Sequence, residues 1–414
     1  MIKPVEDKKT IIIIGGGASG FFCAVNTARL NPNTKVILLE KTAKLLAKVR
    51  ISGGGRCNVT HHCFDNRELV KNYPRGEKEL NTCFNRFSVV DTIQWFEERG
   101  VKLKVEEDGR MFPVTDNSET IINCLLQEAQ KYNVDIRTNC GVHKIIPNTS
   151  TNTFTLILAN GEVLYCNKLV IATGGNPKKS SYDWLHELGH TIEEPVPSLF
   201  TFNIPNNKLT ELMGVSVTQA KVKIVGHKLE YQGPLLITHW GLSGPAILKL
   251  SAWGAKLLST LNYNFTIQLN WVPKFNEGKL RNELDDICKA NLSKLIVNTK
   301  SFDLPKRLWE YLLYKVGIAN AIRWADLSKK KFNTLINVLI KDEYIVSGKT
   351  TFKEEFVTCG GVNLKEINLK TMESNIVPNL YFAGEVLNID GITGGFNFQN
   401  AWTTGWIAAM GTMK

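Results

Sequence analysis

The chain has 414 residues, 43% of them hydrophobic and 21% charged, with a formal charge of +11 and a pI near 9.1. That length is too great for one small core and suits two or three domains, and the composition is that of an ordinary globular protein with no apolar run approaching a membrane span. Nine cysteines scattered without framework spacing exclude a disulfide-stapled scaffold and fit a reducing cytoplasm.

At the N-terminus Lys8 and Lys9 precede an apolar run, as in a secretory signal, but three glycines interrupt the run after Ile14 and no small-residue cleavage pattern follows. The stretch Ile11 to Glu40 reads instead as strand, glycine turn, helix, strand and acid. Gly15, Gly17 and Gly20 fill the places of GxGxxG, Ala18 and Ser19 open the helix, and Glu40 ends the second strand with Lys41 after it. Gly15 allows the tight turn, Gly17 lets a pyrophosphate touch the backbone, and Gly20 lets helix and sheet pack closely. The unpaired N–H groups and positive dipole end of the helix favour phosphate, and the Glu40 carboxylate can accept from ribose hydroxyls. The expectation is a bound ADP moiety.

Lys41, Lys44, Lys48, Arg50 and Arg56 follow without an intervening acid, and the run ends in SGGGRCN at Ser52 to Asn58. Adjacent glycines cost backbone entropy and pack little, so Gly53 and Gly54 are read as a place of close ligand approach. Arg56 is a candidate for phosphate or carboxylate and Cys57 for the reacting centre; a surface loop with a structural cysteine is the bland alternative. Next, Val89 to Gly100 reads as an amphipathic helix and Ser118 to Tyr132 as another, capped by Ser118, with a hairpin between them turning at Asp108-Gly109. A β-meander then runs through the strand at Val142 and the Asn160-Gly161 turn to Leu169 to Ala172, which enters Thr173-Gly174-Gly175. A strand ending in ATGG after a meander recurs as the return strand of two-dinucleotide-fold proteins, which narrows the cofactor to FAD; Val142, Ala172, Thr173 and Gly174 join its expected contacts.

From Pro195 the pattern is strand-like through GPLLITHWGLSGPAIL. Position 245 is Pro, so Gly241 to Gly244 fails the GxSxG nucleophile elbow, and His239 stays only a candidate pocket residue. From Lys274 to Lys331 there are thirteen basic and seven acidic residues, so +6 of the charge lies there. This is either a solvated basic surface or a phosphate-tracking patch for RNA. Phe332, Leu335, Ile336, Leu339 and Ile340 lie at helical spacing and mark a core face. A strand-like return, SGKTTFKEEFVTCGGV, carries Cys359. The C-terminal piece is another strand, glycine loop and helix: Gly384-Glu385, Gly394-Gly395, then Asn397, Phe398 and Gln399. In FAD enzymes such a unit returns to the cofactor, the acid meeting the ribityl chain and the helix N-terminus facing the flavin.

The fold class expected is α/β, a discontinuous Rossmann-like FAD-binding domain with an inserted β-rich domain and a small helical domain. The boundaries are 1–194 and 359–414 for the FAD domain, 195–272 and 343–358 for the β-rich domain, and 273–342 for the basic helical insert. No metal site is evident, since the His and Cys residues lack ligand spacing.

GGGASG, SGGGRCNVT, ATGG, THWGLSGPA, TCGGV, TMES and AGEVLNIDGITGGFNFQNAW together resemble the flavoprotein family named for BaiN and YhiN over nearly the full length. Cys359 stands where that pattern has a small residue, and Asn388 where an acid is common. The resemblance implies an FAD-dependent oxidoreductase, with activities in the family that include reduction of conjugated double bonds in bile acids, oxidation of aminoacetone, and reduction of uridine to dihydrouridine in 23S ribosomal RNA. The leading expectation is NAD(P)H-driven reduction of a C=C bond, hydride passing from the flavin to the β carbon while a protein acid protonates its neighbour, with ribosomal RNA as substrate. Candidate proton donors are Cys57, His239 and Cys359. A small-molecule flavin oxidase or reductase is the second reading and a non-catalytic FAD-containing RNA-binding factor the third. A disulfide reductase is disfavoured, because Cys57 and Cys63 are wrongly spaced and no second dinucleotide fingerprint follows Gly175.

Overall fold

The structure is a computed structural model that describes residues 9–299, 302–350 and 357–413. The chain divides into two compact units, residues 1–197 with 353–414, and residues 198–352. Where the sequence suggested separate β-rich and helical insertions, both fall in the second unit and share one hydrophobic core, in which Trp309, Leu335 and Leu339 of the helices join Val222, Leu235 and Ile267 of the strands.

The first unit is built on a seven-stranded sheet, ordered Ile367–Asn368, Glu373–Ser374, Leu380–Phe382, Lys168–Ile171, Thr10–Ile14, Lys35–Leu39 and Asp135–Arg137. The last five run parallel. Thr10–Ile14 is the middle one of these five, and its Ile side chains are buried on both faces, as a parallel strand covered by helices requires. Its sequence successor Lys35–Leu39 lies on one side and Lys168–Ile171, from far along the chain, on the other, which creates a topological switch point at Ile14. A separate antiparallel meander, Val142–Asn148, Thr153–Leu158 and Val163–Cys166, turns at Gly161 in the left-handed region. The helix Val89–Glu97 begins with a reciprocal capping box between Ser88 and Asp91. Ser118, expected to cap the helix Glu119–Lys131, does not: its hydroxyl donates to the Arg50 carbonyl at 2.7 Å instead, tying that helix to the segment before SGGGR.

In the second unit the sheet is antiparallel, ordered Asp342–Ser347, Asn264–Asn270, Ser216–Ile224, Glu230–Thr238, Gly241–Ser243, Thr201–Asn203 and Lys349–Thr350. The strand-like reading of GPAIL is corrected, because Pro245 starts a helix, Pro245–Trp253, at the first-turn position where its missing N–H costs nothing. Helices Glu277–Ala290, Lys306–Val316 and Lys329–Ile340 make the basic insert. Buried Asp342 joins helix to sheet by accepting from Trp271 Nε1 at 3.0 Å and Tyr344 OH at 2.6 Å and by pairing with Lys315. Of the strand-like return, Thr351 to Phe356 lies outside the described residues.

Candidate active site

Four chain segments leave the carboxyl ends of adjacent parallel strands in the first unit: Gly15–Gly17 after Ile14, Glu40 after Leu39, Ala172–Gly175 after Ile171, and Ala383–Glu385 after Phe382. Ligands of open α/β sheets bind in this crevice. The glycines divide the work. A Cβ on Gly15 would lie 2.2 Å from the Ala172 carbonyl oxygen, and one on Gly20 would lie 1.9 Å from the Gly15 carbonyl oxygen, so these two serve close packing. A Cβ on Gly17, Gly54, Gly55 or Gly174 would meet nothing within 4 Å among the described residues, which leaves an open backbone floor. Gly17 also caps the helix Ala18–Leu30, whose first turn carries no acid and no side-chain cap, so its N–H groups face the crevice unspent.

A second helix brings a second positive end. Helix Phe396–Gly411, capped by Gly395 and equally free of first-turn acids, packs beside Ala18–Leu30. A Cβ on Gly405 would lie 2.8 Å from the Ser19 carbonyl oxygen, and Thr412 Oγ1 is 3.5 Å from Thr27 Oγ1. Contacts ascend together in both helices, so they run parallel. With a rise of 1.5 Å per residue, Phe396 starts about 13 Å before the level of Gly405 and Ser19. Two positive helix ends thus sit about 13 Å apart along one direction. That spacing suits a ligand with a diphosphate at one place and a ring that gains negative charge on reduction at the other.

The polar side chains around this floor are fixed in detail. Glu40 accepts from Gly16 N–H and from Thr42 N–H and Oγ1–H, each at 2.9 Å, which holds its carboxylate at the rim of the first turn. Lys41 is exposed beside it; its Cβ is 3.6 Å from where a Gly141 side chain would begin, next to Val142. Ser19 Oγ donates to the Ala383 carbonyl at 3.4 Å, and a Cβ on Gly384 would meet that hydroxyl at 2.4 Å. Glu385 accepts from Thr358 N–H at 2.8 Å and pairs with Lys48 Nζ at 2.8 Å. Thr358 Oγ1 is buried and, like Asn400 Oδ1 on the second helix, has no hydrogen-bond partner among the described residues. Open glycines, two helix ends without side-chain caps and orphaned buried hydroxyl and amide atoms fit a dinucleotide with a polyol chain.

Several expected contacts are otherwise engaged. The Arg56 side chain, expected to meet phosphate, lies 4.0 Å over the Phe112 ring and pairs with Glu106 at 2.6 Å and Asp116 at 3.5 Å. Hydrogen bonding to Glu106, foremost, raises its pKa above the ordinary value. Gly53 packs against Phe112 in the left-handed region, so this turn is moored to the hairpin of Leu103–Val105 and Arg110–Pro113. Asn397 uses both ends of its amide to bracket Gly391, at 2.8 and 2.9 Å. Gln399 is buried between Thr60 and Thr403, and Phe398 stacks on Trp402 at 5.7 Å. For Asn397 and Phe398 the backbone N–H groups, not the side chains, remain for a ligand, whereas the Gln399 N–H donates to the Gly395 carbonyl at 3.0 Å. His61 Nδ1 donates to the Gly394 carbonyl at 3.0 Å, and the His61 ring stacks on Phe396 at 4.6 Å.

The candidate proton donors are dispersed between the units. Cys57, at φ 62 in the left-handed region, and Cys359, within the strand Val357–Val362, are both fully buried in the first unit. Burial pushes the Cys57 thiol up to about 12, so it stays protonated at neutral pH. His239 is exposed in the second unit, against Trp240. Among the described residues no disulfide joins any of the nine cysteines, no group of three or more His, Cys, Asp or Glu could hold a metal ion, and no helix is long and apolar enough to cross a membrane. Lys48, His61 and Thr358 were missed in the sequence; Lys48 lay in the acid-free run, but nothing local distinguishes it from its neighbours.

A switch-point crevice with two helix ends and a fixed acid defines an FAD-dependent oxidoreductase. Comparison with known proteins agrees: the HI0933-like protein Rossmann domain matches residues 9–411, and the chain belongs to that family. The ribosomal RNA dihydrouridine synthase of Haemophilus influenzae is 31% identical over 417 residues, covering 96% of this chain and 97% of the relative. A 3-dehydro-bile acid delta(4,6)-reductase of Clostridium scindens is 26% identical over 408 residues, with 96% and 97% covered. Among solved structures, the 3-ketosteroid-delta4-(5alpha)-dehydrogenase of Rhodococcus jostii superposes with a TM-score of 0.51 at 11% identity, covering 100% of this chain and 98% of that one, a likeness of fold.

Proposed function

We propose that this protein reduces a conjugated C=C bond with electrons from NAD(P)H, and that its substrate is uridine in large-subunit ribosomal RNA, converted to dihydrouridine. The observation that carries the choice of RNA is the segregation of charge. The second unit, residues 198–352, has 21 Lys+Arg and 11 Asp+Glu, a formal +10 of the chain's +11. A nearly neutral first unit and a strongly basic second one is the division of labour expected when one part holds a cofactor and the other tracks phosphates. The full-length likeness to a ribosomal RNA dihydrouridine synthase supports the same reading.

FAD, when bound, supplies the two-electron hydride chemistry that links NAD(P)H to the carbon acceptor. The chain's part is to hold, orient and protonate. Gly17 and the N–H groups of Ala18, Ser19 and Gly20 would take the diphosphate; Glu40 would take the ribose. The Lys48–Glu385 pair with Thr358 Oγ1 would meet the polyol chain, and the backbone at Gly395 to Phe398 would stabilise negative charge on the ring. The balance requires one hydride at the β carbon and one proton at its neighbour, and the protonated thiol of Cys57 and the buried Cys359 are candidate donors for that proton.

The test is direct. FAD-loaded protein, NADPH or NADH and an unmodified large-subunit ribosomal RNA transcript are incubated, and the digested RNA is weighed by mass spectrometry. Gain of two hydrogens on one uridine is the expected result. Unchanged RNA, with turnover of an enone or aminoacetone instead, would replace this reading with a small-molecule one.

A further inference from the structure

The basic insert alone does not say where a nucleic acid would be gripped. Some of its cations are paired with acids, in Lys315–Asp342, Lys341–Glu277, Lys306–Glu310 and Lys289–Asp286. An exposed aromatic ring meets cations unpaired among the described residues where the helix Lys306–Val316 meets the short turn Lys208–Leu212 from the β-rich part of the same unit. Tyr314 projects there with 61% of its surface exposed. Lys208 Nζ donates to its hydroxyl at 2.6 Å and lies 4.6 Å from the ring centroid. One turn and more along the same helix, Arg307 donates to the Glu211 carbonyl at 2.9 Å, and Tyr311 OH donates to Asn207 Oδ1 at 3.4 Å. Helix and turn are therefore stitched at three points, and the exposed ring is held in place before any partner arrives.

Among the described residues Lys208 and Arg307 form no ion pair; their hydrogen-bond partners are a phenol and backbone carbonyls, which leave both positive charges uncompensated at contact. The acids on this face are Glu211, which Lys208 feels through space, and Glu310, which faces Lys306. A pinned, exposed aromatic ring flanked by two uncompensated cations, in a unit of formal charge +10, matches the chemistry of unpaired RNA: bases stack on the ring while phosphates meet the cations. Duplex RNA hides its base faces and would gain nothing from the ring. We propose that Tyr314, Lys208 and Arg307 form a stacking platform that binds an unpaired segment of the RNA substrate. This rests on the reading of ribosomal RNA as substrate and adds where that RNA is held.

The experiment measures binding of FAD-loaded wild type, Y314A, Y314F, K208A and R307A to an unmodified large-subunit ribosomal RNA transcript over a series of salt concentrations. Flavin absorbance and melting temperature serve as folding controls. Y314A is expected to bind about tenfold more weakly at every salt concentration with the salt slope unchanged, as loss of one base stack implies, while Y314F stays near wild type. R307A is expected to flatten the slope of log K against log salt by about one unit, the signature of one lost phosphate contact, and K208A likewise. Wild-type binding that Y314A retains in full, or an equal loss in Y314F and Y314A, would overturn the platform while leaving RNA as substrate. Absence of wild-type binding would overturn both.

Discussion

At the scale of single residues, the two glycines of the first turn make opposite expectations. At Gly20 a Cβ would be driven into the Gly15 carbonyl, so G20A should destabilise the fold by about 1–3 kcal/mol or more in denaturant titration. At Gly17 the space is empty and φ is −92, so G17A should cost the protein without cofactor only about 1 kcal/mol, as a poorer helix cap, while raising the FAD dissociation constant at least about tenfold. Fluorescence titration of FAD separates the two. A different residue sets a pH response. His190 is buried, with Nδ1 3.1 Å from Glu366 Oε2 and Nε2 3.1 Å from Ser374 Oγ. Burial, outweighing the bond to Glu366, lowers its pKa below the ordinary value of 6.5. Below that ordinary value the unfolded chain therefore binds more protons than the folded one, so this residue's contribution is intact above about pH 6.5 and is lost as the pH falls through the lowered value. Melting temperatures from pH 8 to pH 5 should fall more steeply in wild type than in H190Q; parallel curves would show that His190 is not the group responsible.

Between elements, the parallel pair of helices is what aligns the two positive ends. G405A would press a methyl group on the Ser19 carbonyl and spread Ala18–Leu30 from Phe396–Gly411. A stability loss of about 1–3 kcal/mol is expected together with weaker FAD binding, read by thermal melts with and without added FAD. This level also shows how far the sequence could be read. The strand, glycine turn and helix at Ile11–Leu30 and the returns at Ala172 and Gly384 were legible because backbone requirements leave local marks: a glycine where φ is positive, an apolar run where a parallel strand is buried. Side-chain partners left no such mark. Arg56 is moored by Glu106 and Asp116, acids fifty and sixty positions further on, and nothing near SGGGR announces them. Asn397 and Gln399 carry the polarity of ligand contacts but spend it on Gly391, Thr60 and Thr403. The helical insert was legible from the spacing of Leu335, Ile336, Leu339 and Ile340, yet its sharing of one core with the neighbouring sheet emerges only when the long-range pairing of Asn264–Asn270 with Asp342–Ser347 is formed.

Across the whole molecule, charge is divided more sharply than the run from Lys274 to Lys331 alone shows. The run from Lys274 to Lys331 holds +6, but the compact unit that contains it holds +10 because eight further lysines, against four further acids, belong to the same body. A substrate of high negative charge should bind that body with affinity falling steeply as salt rises, whereas a neutral enone should be indifferent to salt. The measurement that tests the account most directly is anaerobic stopped-flow absorbance of the FAD-loaded protein. The flavin is first reduced with NADPH or NADH and then mixed with unmodified large-subunit ribosomal RNA, or separately with small enones and aminoacetone. The expected result is rapid flavin reoxidation by the RNA, slowed by added salt and accompanied by dihydrouridine. Reoxidation by small molecules or oxygen alone, with the RNA inert at every salt concentration, would contradict the account and leave the basic unit without a catalytic partner.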